Sequence, residues 1–156
     1  MRGNLLQKGV TVSDDVISQA LYLVNKEAKR SKDQKVHWYN AKQYDQLNIY
    51  RDTERRLYGL KDRVLMKLLI DGRAEILGVD TLVLPHKVMQ LLIFSFSGAV
   101  FHMPLENLGG VINMVDLPSG TYDRAQWPHK PQVCTITKEQ AVRILEDFIC
   151  VGLACA

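Results

Sequence analysis

Histidine and cysteine are the residues here best able to hold a metal or act as a nucleophile. The chain has four of the first and three of the second in 156 residues. His37, His86, His102, His129 and Cys134 could converge on a cation, yet none lies in an HExxH or CxxC arrangement, and only His129 and Cys134 are near one another. No serine occupies a GxSxG elbow, and Cys134 in its setting reads as a small hydrophobe. A metal-assisted nuclease needs two convergent carboxylates; Asp80, Glu106, Asp116 and Asp123 fall near expected strand ends or loops, but nothing in the sequence ties them together. Gly109-Gly110 lacks the lysine and hydroxyl residue of a phosphate-binding loop. An enzyme therefore ranks third among the readings, and neither a metal nor a cofactor is expected.

Charge offers a second chemistry. The net charge of +3 is unevenly spread: residues 1–73 carry 15 Lys or Arg against 9 Asp or Glu, and residues 74–156 carry 5 against 8. The candidate nucleic-acid contacts are Lys29, Arg30, Arg51, Arg55, Arg56, Arg63 and Lys67. Two antiparallel helices would bring Lys29 and Arg30 to Arg51, Arg55 and Arg56, making a patch able to meet phosphates. Acidic residues interleave throughout, which is also how an ordinary solvated face looks. His37, Trp38 and Tyr39 sit beside this cluster and could stack on bases or pack at a rim.

Protein interaction is the third chemistry. Leu117 to Pro131 forms a long irregular excursion, in which Tyr122, Trp127 and His129 are candidate partner anchors. The block from Ala74 to Met103 is apolar at both odd and even positions, as expected of strands covered on both faces. Helices would cover one face, and a second subunit is one candidate for the other.

The elements that must position these groups follow from periodicity. Thr11 or Ser13 can cap a first helix, whose buried stripe is Val16, Ile17, Ala20, Leu21, Val24 and Ala28. Ser31 to Lys35 reads as a loop. A second helix starts near Lys42 and reaches Ile70 through Leu47, Tyr50, Leu57, Leu60, Val64 and Leu68, with Glu54 and Lys61 interrupting the stripe. The segment before Asp71-Gly72 reads either as the end of that helix or as one arm of a hairpin turning on Asp-Gly. Helix is favoured, because the periodicity begins before Arg63. Strand-like segments follow, broken at Pro85-His86 and turned at Ser97-Gly98; Val111 to Val115 and Gln132 to Ile136 could add two more. Thr137, with Gln140 three residues on, caps a final helix whose stripe is Ala141, Ile144, Leu145, Phe148 and Ile149.

The expected fold class is α+β: two N-terminal helices, an antiparallel sheet of three to five strands, and a C-terminal helix. The length suits one compact domain over 1–156, with a helical half at about 13–71 and the sheet plus final helix at about 73–153. No apolar run is long enough to span a bilayer, and three cysteines without a CxxC suggest reduced thiols in the cytoplasm. The leading functional reading is a non-enzymatic protein-interaction or assembly module, including a homodimer formed through the apolar sheet. The alternative is an accessory nucleic-acid binder using the basic helical side. Interaction leads because the sheet block needs covering, while acids dilute the basic patch.

Overall fold

The computed structural model describes residues 12–108 and 134–150. Their elements are α1 (Asp14–Asn40), α2 (Tyr44–Ile70), β1 (Glu75–Val83), β2 (Val88–Phe96), β3 (Ala99–Pro104), a single 3-10 turn (Leu105–Leu108) and α3 (Lys138–Cys150). This is the expected α+β order. Two compact units divide these elements. One contains α1, α2 through Val64, and α3; the other runs from Leu65 through the sheet.

In the helical unit, Ser13 caps α1, its Oγ accepting from the Val16 amide at 3.3 Å, with Asp14 and Asp15 in the first turn. Ile17, Ala20, Leu21, Val24 and Ala28 are buried, as their spacing predicts. The expected loop at Ser31 to Lys35 is absent: α1 continues through it for a total of 27 residues. That stretch is polar but contains neither Gly nor Pro, so nothing in it breaks a helix. Tertiary packing also holds it, for Ser31 is buried and Lys35 bridges to Glu54 of α2. α3 packs on α1. The reciprocal capping box forms as the sequence predicts: Thr137 Oγ1 accepts from the Gln140 amide at 3.1 Å, and Gln140 Oε1 accepts from the Thr137 amide at 2.8 Å. Ahead of it, the Thr135 amide donates to buried Gln19 Oε1 at 2.8 Å, fixing the entry to α3 against α1.

Asp71-Gly72 is a helix end rather than a hairpin turn. The Arg73 amide donates to the Leu68 carbonyl and the Gly72 amide to the Leu69 carbonyl, with Gly72 at φ 72°, a Schellman closure that suits glycine.

The sheet has the order β1-β2-β3, antiparallel throughout, with a bulge between Ile76 and Gly78. Ser97 and Gly98, at φ 49° and 77°, make the tight β2–β3 turn, and the Leu84 amide closes the β1–β2 turn on the Lys87 carbonyl. On one face Leu92, Phe94 and Phe96 are buried with Phe101 and Met103; on the other, Leu91 and Ile93 are buried, with Leu77, Leu82, Met89 and Val100 packed against them. Burial on both faces explains the run of apolar residues in β2. That burial is confined to the centre of the strand, and Val88 at its start is exposed.

Cys134 to Ile136 are not in a strand. The possible strand at Val111 to Val115 and the Leu117 to Pro131 excursion, with Tyr122, Trp127 and His129, lie outside the described residues. Cys134 is an exposed free thiol, whereas Cys150 is disulfide-bonded, so the expectation of three reduced cysteines does not hold at Cys150. The cysteines therefore give no argument for a reducing compartment. Among the described residues no helix is long and apolar enough to cross a membrane.

Candidate functional site at the tip of a helical hairpin

Two cross-links set the antiparallel register of α1 and α2. Lys35 Nζ meets Glu54 Oε1 at 2.8 Å, and Lys61 Nζ donates to Asn25 Oδ1 at 2.9 Å. These are the two residues, Glu54 and Lys61, that interrupt the apolar stripe of α2. Lys61 is only 5% exposed and Asn25 is buried too. The ammonium also lies 5.2 Å from the centroid of the Tyr58 ring, within cation–π range. Burial pushes the Lys61 pKa down, Asp62 works against that shift, and Lys29 adds to it. Tyr58 is pushed up to about 12, by burial first and then by the charges of Glu54, Asp33 and Asp62.

The hairpin turns through Ala41–Gln43. Here α1 ends in the same closure as α2, the Gln43 amide donating to the Trp38 carbonyl and the Lys42 amide to the Tyr39 carbonyl. The left-handed position is held by Lys42, at φ 58°, rather than by glycine. Around this turn the usual arrangement is inverted. Val36, Tyr39, Tyr44 and Ile49 are 52%, 62%, 56% and 58% exposed. His37 sits edge-on to Trp38 at 4.9 Å. Residues 36–50 contain one cation, Lys42, and one acid, Asp45, amid Tyr, Asn, Gln and His. Aromatic enrichment with charge depletion is the composition of an interface core. Trp38 Nε1, Arg51 Nε and Ser31 Oγ are sealed from solvent without a hydrogen-bond partner, and all three belong to the distal half of this hairpin.

The basic candidates sit in different surroundings. Arg30 is bound to Glu27 at 2.7 Å, and Lys138 Nζ approaches the same carboxylate at 3.5 Å; the Arg30 hydrogen bond, helped by Lys138, holds Glu27 below the usual carboxylate range. Arg56 lines a cleft of about 360 Å³ with Glu27, Lys138, Thr53, Leu57, Glu139 and Val142. Neighbouring Arg55 points about 100° away around α2. Arg51 lies 3.6 Å from Asp52, and Arg63 Nε donates to the Gly59 carbonyl of its own helix. Lys29 is exposed near Lys61, while Lys67 belongs to the sheet unit. Arg30 and Lys138 thus share the Glu27 carboxylate, and Arg56 lines the cleft beside it. The Glu27–Arg30 spacing was legible in the sequence. The approach of Lys138, far along the chain, was not.

Among the described residues no group of three or more His, Cys, Asp or Glu is placed to hold a metal ion. Asp80 is buried in β1, Glu106 is exposed, and Cys134 Sγ faces the Ile136 carbonyl at 3.7 Å. His129, Asp116 and Asp123 lie outside the described residues. The exposed tip was missed by sequence reasoning, although its signal was present: a charge-poor, aromatic and amide-rich stretch spans the end of one charged helix and the start of the next.

No family model, curated protein or solved structure matches the chain.

Proposed function

We propose that the chain is a non-enzymatic protein-interaction module whose contact surface is the tip of the α1–α2 hairpin. The observation that carries this reading is the set of four large apolar side chains, each more than half exposed, within a stretch bearing only two charges. Scattered exposed apolar residues are ordinary; a concentrated group with aromatic anchors is the pattern of a binding surface. This moves the proposed contact from the sheet, whose central faces are already buried, to the helices.

The test compares the chain with a Tyr39→Ser/Tyr44→Ser variant, each immobilised and exposed to proteins from the source cells. Proteins held by the first and lost by the second are expected. Identical retained sets would sink the reading.

One observation favours nucleic acid as a second reading: Arg55 and Arg56 are exposed and form no ion pair among the described residues. Asp33 and Asp62, which act on nearby Tyr58, weigh against it. Binding to random duplex or single-stranded nucleic acid that weakens steeply with salt, and is lost in Arg55→Ala/Arg56→Ala, would favour this reading over the first.

A further inference from the structure

Building on the interaction reading, we propose that the tip's occupant is a second copy of this chain, held in a weak isologous contact between two hairpin tips. Charge is the first argument. Residues 1–73 carry a net +6, so copies approaching through most of this region repel one another. Residues 36–50 carry one positive and one negative charge, so two tips can meet without that repulsion. The two charges also lie three residues apart across the turn, Lys42 at its left-handed position and Asp45 in the first turn of α2. A twofold axis through the contact lets Lys42 face the partner's Asp45 and repeats the pairing on the other side. A strongly acidic foreign partner would seek a cluster of unpaired cations, and the stretch offers Lys42 alone.

Area is the second argument. Val36 and Tyr39 come from α1, and Tyr44 and Ile49 from α2, so each copy presents apolar groups from both arms. Given their exposure, these side chains offer roughly 400 Å² per copy, since one aromatic residue buries about 150–250 Å². A stable complex buries about 800 Å² per partner, so the contact belongs to the weak class and forms only at high concentration.

Sedimentation velocity on the full chain, from low micromolar to near-millimolar concentration, tests the inference. A reversible monomer–dimer shift is expected at the upper end. Tyr39→Ser/Tyr44→Ser changes only exposed positions, so its circular dichroism should match that of the parent chain while it stays monomeric. Lys42→Asp should weaken association about tenfold through like-charge juxtaposition, and adding Asp45→Lys should restore it. A monomer at every concentration overturns the inference, as does dimerisation untouched by the tyrosine variant or a charge swap that fails to restore it. A monomeric chain leaves the interaction reading standing, because that reading is tested against other proteins.

Discussion

The two units solve the problem of burial in opposite ways. In the sheet, apolar side chains go inside: Leu92, Ile93, Phe94 and Met103 are fully buried, and Asp80 is the buried charged residue. Among the described residues of the strands, Val83 and Val88, paired beside the β1–β2 turn, are the large apolar residues left exposed. The helical unit buries Ser18, Gln19, Asn25, Ser31 and Lys61, and leaves Val36, Tyr39, Tyr44 and Ile49 outside. A uniformly apolar interface between two long helices tolerates sliding by a turn. A buried ammonium that must meet one amide tolerates one register, at some loss of stability. The difference teaches that the sheet stores stability, while the hairpin gives some up to fix its register and present its tip.

This contrast can be broken at several points. The largest effect is expected in the sheet, where Phe94→Ala removes a fully buried ring stacked 6.3 Å from Phe101 and should cost about 3–5 kcal/mol in urea denaturation. Tyr44→Ser at the tip should change stability by less than about 0.5 kcal/mol. Equal losses would erase the distinction. Next comes the interior pair of the hairpin. Asn25→Leu leaves the Lys61 ammonium buried without its acceptor and should cost about 2–3 kcal/mol, whereas Lys61→Met should be neutral or stabilising. Comparable destabilisation by both variants would show that Lys61 acts through packing alone.

The same lysine sets a pH dependence. Its folded pKa is below the ordinary 10.5, so between the folded value and 10.5 the unfolded chain binds a proton that the folded chain lacks, and stability rises with pH. The deficit of the parent chain relative to Lys61→Met should therefore be full below the folded pKa and shrink as pH climbs towards 10.5. Tyr58 runs the other way: from 10 to about 12 the unfolded chain loses a proton that the folded chain keeps, and stability falls. Denaturation curves for the two proteins at a series of pH values separate the effects, and a pH-independent gap would refute the assignment to Lys61. Smaller effects than that of the interior pair belong to the two helix ends. Gly72→Ala places a Cβ at φ 72° and should destabilise by about 1 kcal/mol, while Lys42→Gly relieves the same conformation at φ 58° and should stabilise by up to about 1 kcal/mol. Thermal melts of both variants compare the closures directly.

Local chemistry made much of this fold legible. Ser13, the Thr137–Gln140 box, Asp71-Gly72 and Ser97-Gly98 each act within a few residues, and each does in the structure what its residue types imply. The three- and four-residue spacing of Ile17, Leu21, Val24, Leu57, Leu60 and Val64 marked faces that are buried. The errors arose where partners are distant in sequence. Ser31 to Lys35 looked like a loop because its composition is polar; only Glu54, nineteen residues on, shows why it stays helical. Lys61 looked like a fault in a stripe until Asn25, thirty-six residues back, was seen to receive it.

The sequence by itself determined the order of elements, their caps and turns, and the apolar faces, because these depend on side chains acting on their own backbone. Tertiary structure decided which charges are paired across elements, which polar groups are sealed inside, and that Tyr39 at the end of α1 faces solvent. Those outcomes depend on solvent exclusion by residues far apart in the chain, which no local spacing encodes.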